Sequence, residues 1–143
     1  MAHELIEGIS RADIAFRVRG ADCSGLFIAG AEALISIMLK DPATVLKTQS
    51  VRFVCEAPDL DMLYFDFLSE FIYYKDAEKL LLLPESLDIN HYDNGYRLSC
   101  VARGETINRS RHIFTVDIKA ATMHHLSVTG DEFGYSATIV VDV

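Results

Sequence analysis

Residues 58–74 read PDLDMLYFDFLSEFIYY, and this stretch predicts the second of two helices. Asp59 is placed to cap that helix, because its carboxylate can accept hydrogen bonds from the free N–H groups of the first turn. Apolar residues then recur at helical spacing over three turns: Leu60, Leu63, Tyr64, Phe67, Leu68, Phe71 and Ile72. We expect this aromatic stripe to form core rather than a cofactor site.

The segment before it predicts a strand followed by the first helix. Residues 14–19 alternate apolar side chains with others, which is the period of a strand. Asp22 or Ser24 can cap a helix that runs to about Leu39 and is closed by Pro42. One face of this helix is predicted to be buried, and its members are Leu26, Gly30, Ala33, Leu34 and Ile37.

The rest of the chain is dominated by strand patterns. Residues 44–56 predict one or two strands, and further strands are predicted at 80–83, 87–89, 96–102, 112–119, 126–129 and 135–141. Breaks or turns are predicted at Pro84, Asn94-Gly95, Gly104, Gly130-Asp131 and Gly134. Two helices among six to eight strands indicate an α+β fold, in which the helices pack on a mostly antiparallel sheet.

The composition limits the classes of protein to which this chain can belong. Half of the 143 residues are hydrophobic and 24% are charged, which predicts one folded domain over residues 1–143. No apolar stretch reaches the roughly 18 residues of a membrane-spanning helix, and the start lacks a signal-peptide pattern, so we expect a cytoplasmic protein. The net charge of −8 disfavours non-specific binding of nucleic acid and favours a cation or a basic partner.

The motifs of common enzymes are missing from the sequence. It has no G-x-S-x-G elbow, no P-loop and no H-E-x-x-H motif, so we predict a non-catalytic protein. The cysteines Cys23, Cys55 and Cys100 are far apart and are expected to be buried free thiols. An unrecognised enzyme for a small molecule would need a pocket that holds His112 or His124 beside a carboxylate.

The last residues of the sequence predict a candidate metal site. Residues 139–141 read as a buried strand, so the Asp142 side chain and the Val143 α-carboxylate would be held in the sheet as adjacent anions. Asp13, at the mouth of the first predicted strand, is the candidate third donor. Three oxygen donors suit Ca²⁺ or Mg²⁺, whereas a nearby histidine would shift the preference towards Zn²⁺. The simpler alternative is that Asp142 is merely solvated.

Four short segments, taken in order, resemble the archease family. They are Ala12-Asp13-Ile14, the acidic and aromatic helix at 59–74, the block IKAATMH at 118–124 and the ending VVDV at 140–143. The ordered set covers almost the whole chain. Ser10-Arg11 stands where the family has His-Thr, and it brings a positive charge next to the proposed cation site.

The resemblance implies an accessory protein for an RtcB-type RNA ligase, which joins RNA ends in tRNA splicing. Archeases promote guanylylation of the ligase and so restore multiple turnover, and they meet RNA only through the ligase. The family's metal ligands correspond to Asp13, Asp142 and Val143, with Ca²⁺ expected and Mg²⁺ or Zn²⁺ as alternatives. Lys119 and His112 correspond to family positions and are candidate contacts to the ligase or to a phosphate.

Simpler interpretations stay open for several of these residues. Lys119 can be an exposed lysine that protects a sheet edge, and His112 can be a hydrogen-bonded structural histidine. His124 and His125 are sequential, so a regular strand would send them to opposite faces unless it contains a bulge.

A second class of function also stays open. A chaperone-like module would bind partners through its surface without metal. In that case the substitution Asp142→Ala would leave activation of the partner intact. The basic residues around the late polar loop, Arg103, Arg109 and Arg111, could contact RNA or the ligase, although a solvated loop is the simpler expectation.

Overall fold

The computed structural model describes residues 2–6 and 13–143, which form two α-helices and seven strands. In chain order these are β1 (Ala2–Ile6), β2 (Asp13–Gly20), α1 (Cys23–Met38), β3 (Gln49–Ala57), α2 (Leu60–Ala77), β4 (Leu80–Tyr92), β5 (Gly95–Thr106), β6 (Ala120–Asp131) and β7 (Gly134–Asp142). A 3₁₀ turn at Pro42–Thr44 lies between α1 and β3. None of the helices described is long and apolar enough to cross a membrane.

The strands form two antiparallel sheets. One sheet has the order β1-β2-β7-β6, and the other has the order β3-β5-β4. The predicted α+β class with antiparallel strands is confirmed, and the division into two sheets adds to it. Although β7 comes last in sequence, it is an inner strand with a partner on each side.

Helix α2 forms where the apolar stripe predicted it. The Asp59 carboxylate accepts a hydrogen bond from the Met62 N–H at 2.8 Å, which confirms the predicted cap. Phe67 is fully buried and packs edge to face against Phe71, with ring centroids 5.0 Å apart. The stripe is therefore core, as expected.

Helix α1 is more enclosed than its sequence predicted. Asp22 is the cap, and its carboxylate accepts from the Gly25 N–H at 2.7 Å. The buried residues surround the helix instead of forming one face, and they are Leu26, Phe27, Ala29, Gly30, Ala31, Ala33, Leu34, Ile35 and Met38. Ile37, which was predicted on the buried face, is only partly buried. The reason is that α1 packs against both β2 and β4, which belong to different sheets.

The two helices meet closely at Gly30. The Tyr64 hydroxyl donates a hydrogen bond to the Leu26 carbonyl oxygen at 3.3 Å, while the ring of Tyr64 packs 4.7 Å from that of Phe27. A Cβ on residue 30 would collide with the Tyr64 hydroxyl, so the contact between α1 and α2 requires glycine here.

Two predicted interruptions in the strands are wrong. Pro84 does not end its strand, because a register shift between Pro84 and Ser86 lets β4 continue past it. Gly104 is not a turn but lies inside β5. A Cβ at residue 104 would collide with the Leu81 carbonyl oxygen, so this glycine permits close approach of β4.

The strand predicted at residues 112–119 is also wrong. Those residues form a loop that is attached to the end of α1 by one isolated bridge between Leu39 and Phe114. The Thr115 N–H donates to the Met38 carbonyl oxygen at 2.8 Å. Other differences are small: β1 was not predicted, residues 44–56 contain only one strand, and the final hairpin is longer than expected.

Candidate metal centre

Asp13 and Asp142 lie side by side at one end of the four-stranded sheet. They are directly opposite each other in the register of β2 and β7. Directly opposed residues of an antiparallel pair have Cβ atoms about 4.5–5.5 Å apart and point to the same face. On the other side of β7, Ala120 of β6 lies opposite Asp142. The register therefore brings together two of the three predicted donors.

The end of β7 is held firmly in place. Ile139 and Val141 are fully buried, and the Val143 side chain packs against the same core. The Asp142 carbonyl oxygen accepts a hydrogen bond from the Lys119 N–H at 2.8 Å. Docking of this kind prevents the fraying that is usual near a terminus.

The pKa of Asp13 reflects its closeness to Asp142. The pKa of Asp13 is raised, first by its side-chain hydrogen bond with Asp142, then by burial, and then by repulsion from the Asp142 charge. His124 acts in the opposite direction and lowers that pKa. A cation placed between two such neighbouring carboxylates would relieve their repulsion.

The donor set fits a hard cation through oxygen atoms. Across residues 2–6 and 13–143, no three His, Cys, Asp or Glu side chains cluster in a metal-binding arrangement. The third donor predicted from the sequence is the carboxylate of Val143, which directly follows Asp142. Ser10 and Arg11, the point of departure from the family pattern, lie outside the described residues.

Lys119 and the two adjacent histidines lie near this end of the sheet. Lys119 is exposed and directly precedes β6, so it is not a strand residue. A register shift between Thr122 and Ser127 makes β6 bulge, and His125 adopts a positive φ of 55° there. Strand β6 therefore contains a bulge of the kind that His124 and His125 would need in order to lie on one face. Both side chains are exposed.

A groove of about 350 Å³ lies at the same end of the sheet as the carboxylate pair, and neither Asp13 nor Asp142 lines it. It runs between α2 and the start of β6, and its wall is mainly apolar, with Phe65, Ile72 and Tyr73 on the helix side. Lys119 and Ala120 line its other side, and Ala120 is the strand neighbour of Asp142. The acidic end of the sheet thus adjoins an apolar surface.

His112 belongs to a different cluster and is fully buried. Its Nδ1 accepts a hydrogen bond from the Asn108 N–H at 2.9 Å, so the ring hydrogen lies on Nε2 and is donated to Glu105 Oε2 at 3.0 Å. The structure therefore supports the structural interpretation of His112. The contact of His112 to a ligase or a phosphate stays a prediction, and it would require the buried ring to become accessible.

Glu105 is the centre of this cluster, and sequence reasoning missed it. Its carboxylate accepts two hydrogen bonds from Arg111, at 2.6 and 2.7 Å, and one from the Leu46 N–H at 2.6 Å. These bonds, led by those from Arg111, lower the pKa of Glu105 to about 2. A glutamate at a buried position of a strand is the only sequence signal that could have indicated a paired charge.

The other arginines of this region are also engaged. The guanidinium of Arg109 lies 4.2 Å above the centroid of the Phe114 ring, and Arg103 donates to the Lys47 carbonyl oxygen at 3.1 Å. Arg109 is exposed and Arg103 is partly exposed, so these side chains combine contact with water and contact with the protein. Basic residues here hold the loop to the body of the protein.

A buried lysine is the other charged group that the sequence reasoning missed. The Lys75 side chain is 3% exposed, and its ammonium donates to Asp117 at 2.8 Å and also to Asp76. Its position continues the apolar stripe of α2 one turn beyond Phe71. A lysine at that spacing could have indicated a buried ion pair.

The cysteines behave as the sequence predicted. Cys55 and Cys100 are buried free thiols, and Cys23 is a partly buried one. Burial raises the pKa of both Cys55 and Cys100 to about 12, so neither is a reactive thiolate at neutral pH.

Comparison with known proteins agrees with the fold and with the ordered sequence segments. Residues 4–143 match the model of the archease protein family (MTH1598/TM1083). An archease from Methanopyrus kandleri is 30% identical over 132 residues, covering 92% of this chain and 94% of its own length. One from Methanosarcina acetivorans is 30% identical over 134 residues, covering 92% and 90%.

Solved structures show the same fold. The solution structure of protein 1598 from Methanobacterium thermoautotrophicum superposes with a TM-score of 0.82 at 24% identity, covering 99% of this chain and 98% of that one. The crystal structure of an archease from Thermotoga maritima, described as a possible chaperone, gives 0.61 at 19% identity, with coverage of 99% and 100%. The family match spans nearly all of the sequence, and the chain belongs to the archease family.

Proposed function

We propose that this protein is an accessory factor of an RtcB-type RNA ligase and promotes its guanylylation through a divalent cation held by Asp13, Asp142 and Val143. The observation that carries the proposal is the cross-strand pair of carboxylates, which the register of β2 and β7 forces together. The raised pKa of Asp13 supports it, because it reflects a second carboxylate close enough to share one cation. Membership of the archease family supports the choice of ligase as partner.

The chain's own residues have distinct tasks in this proposal. Asp13 and Asp142 supply carboxylate oxygens on two paired strands, and the buried inner side of β7 keeps them in position. All-oxygen ligation favours Ca²⁺, with Mg²⁺ as an alternative, and such a cation would supply charge neutralisation and open positions for phosphate oxygens. The exposed Lys119 offers a point charge for a phosphate or a carboxylate of the ligase.

The direct test is a guanylylation assay with the cognate ligase under multiple-turnover conditions. We expect the protein to raise the rate of transfer of GMP to the ligase, and Asp142→Asn to abolish that increase. Asp93→Asn is the matched control, since Asp93 is an exposed carboxylate in the turn between β4 and β5. Equal rates with and without the protein would rule out the proposed activation.

Cation binding is tested separately by calorimetry with Ca²⁺, Mg²⁺ and Zn²⁺. Tightest binding of Zn²⁺ would point to participation of His124, which already affects the pKa of Asp13. Residues added after Val143 would displace its α-carboxylate and should weaken binding. Unchanged affinity in such an extended protein would remove Val143 from the ligand set.

A metal-independent chaperone-like module is the alternative function. Large apolar side chains on the surface favour it, with Phe133 88% and Tyr73 54% exposed. The description of the Thermotoga maritima archease as a possible chaperone points the same way. If this alternative holds, Asp142→Ala will suppress aggregation of the ligase as well as the wild type does, and it will activate the ligase equally.

A further inference from the structure

The strand β3 is a long edge strand with a regular ladder. It pairs with β5 from Gln49 to Ala57 without a register shift. Within residues 2–6 and 13–143, no strand pairs with its other side. An edge of this kind presents free backbone N–H and C=O groups, which is a template for another strand.

The other three sheet edges in the described part of the chain carry features that oppose pairing. Strand β4 contains Pro84 and a register shift beside it. Strand β6 has its own register shift, and its Val128 N–H is bound by the Asp61 carboxylate at 2.9 Å. Strand β1 has only five residues. Natural sheets protect their edges with such devices, and β3 has no proline, no register shift and nine residues; its exposed charges are Arg52 and Glu56.

The outward side chains of β3 are complementary to themselves. Arg52, Val54 and Glu56 are exposed and alternate with the buried Phe53 and Cys55. The charges are opposite in sign and lie at equal distances on either side of Val54. A pair of such strands, run antiparallel with Val54 opposite Val54, puts each Arg52 opposite a Glu56.

Among the pairings that keep the buried faces of the two strands together, only this one places Arg52 opposite Glu56. Centring the pair on Arg52 would oppose two arginines, and centring it on Glu56 would oppose two glutamates, and directly opposed like charges are destabilising. A shift by one residue would turn the buried side chains outwards. Pro58 follows Ala57 and has no N–H, so it limits the ladder at that end.

The present ion pairs leave these charges available. Arg52 makes no ion pair among the described residues. Glu56 lies 3.7 Å from Arg97, and its side chain remains 68% exposed. Val54 is 48% exposed, so the centre of the strand is an apolar β-branched residue in contact with water.

We infer that two copies of this protein associate through antiparallel pairing of β3 with β3, centred on Val54, which joins their three-stranded sheets into one of six strands. The interface is two-fold symmetric, so each contact occurs twice. The occupant of the edge is a second copy because the charge pattern fits the same strand reversed.

Charge reversal combined with sedimentation tests this inference. The wild-type mass should rise from 16.0 kDa towards twice that value as the concentration increases from roughly 10 µM to roughly 1 mM, where small interfaces associate. Arg52→Glu alone and Glu56→Arg alone should each abolish the rise. The double variant Arg52→Glu/Glu56→Arg should restore it, because the swapped pattern is again self-complementary.

Disulfide formation gives a second test that does not depend on charge. In the proposed dimer Val54 lies opposite itself, so Val54→Cys should yield a covalent dimer on mild oxidation. Ser99→Cys is the matched control, since Ser99 is the exposed neighbour of Val54 on β5, one strand away from the edge. A wild type that stays at 16.0 kDa throughout, or equal cross-linking of the two cysteine variants, would overturn the inference.

Discussion

Two carboxylates in this protein have opposite surroundings. Glu105 lies among donors, with Arg111, His112 and a backbone N–H around it, and its pKa falls to about 2. Asp13 faces another carboxylate, Asp142, and its pKa is raised. The negative charge of Glu105 is neutralised within the fold, whereas Asp13 is repelled by the charge of Asp142. Only the second arrangement leaves room for a ligand to improve it.

The largest effect should come from breaking the satisfied cluster. Glu105→Gln removes the charge that Arg111 and His112 share, and we expect it to lower the free energy of unfolding by about 2–3 kcal/mol. Urea denaturation at neutral pH measures the change. Glu85→Gln is the control, because the ion pair of Glu85 with Arg103 is exposed and long, at 3.4 Å. Similar losses in both variants would mean that burial does not distinguish the two pairs.

The unsatisfied pair should respond to a cation instead. At a hundredfold excess over the dissociation constant, Ca²⁺ should raise the melting temperature by about 5–10 °C, since a ligand that binds only the folded state stabilises it. Asp13→Asn should remove the response without lowering the melting temperature in a chelator. Thermal unfolding with Ca²⁺ and with EDTA shows whether this holds. A full response in Asp13→Asn would exclude the pair as the binding site.

The two carboxylates should also give opposite dependences on pH. Folding lowers the pKa of Glu105 from 4.5 to about 2, so its stabilisation is complete above 4.5 and is lost as the pH falls through that range. Folding raises the pKa of Asp13, so the wild type should lose stability relative to Asp13→Asn as the pH rises through that raised value. Denaturation of wild type, Glu105→Gln and Asp13→Asn across this range measures the two slopes. Slopes of the same sign would contradict the assignment.

The smallest effect should come from an exposed pair. Arg17 and Glu4 are 2.8 Å apart, but their side chains are 42% and 57% exposed. Arg17→Ala should change the free energy of unfolding by less than about 0.5 kcal/mol, because water and salt screen such a pair. Urea denaturation in low and high salt checks it. A loss of stability as large as that of Glu105→Gln would show that the N–O distance of an ion pair, rather than its burial, determines its contribution to stability.

The elements that sequence reasoning predicted well are those with local causes. Helix α2 carries its own cap and stripe, so Asp59 and Phe67 determined it without knowledge of the rest of the chain. The segment 112–119 alternates as a strand would, yet it joins neither sheet, and its backbone binds the end of α1 instead. The breaks predicted at Pro84 and Gly104 are wrong for a related reason. The bulge at Pro84 and the close approach of β4 to Gly104 both depend on strand pairing, which the sequence alone does not show.

The candidate site divides in the same way. The pairing of Asp13 with Asp142 is a matter of register between segments far apart in the chain; the sequence offered Asp13 only as a candidate donor, and the family resemblance strengthened that choice. The burial of His112 follows from Glu105, which alternation alone did not mark as special. Interactions of charged residues with partners elsewhere in the chain are therefore the features that are hardest to predict from a single sequence.

The inner position of β7 has a consequence for synthesis. Strand β2 leaves the ribosome early, but its partner β7 is translated only after both helices and four further strands. At about 5–20 residues per second, β2 waits for several seconds or longer with one edge unpaired. The acidic pair can assemble only when that wait ends, so a nascent chain has no competent site. Any activity that depends on Asp13 and Asp142 can begin only after β7 has been synthesised and has paired with β2.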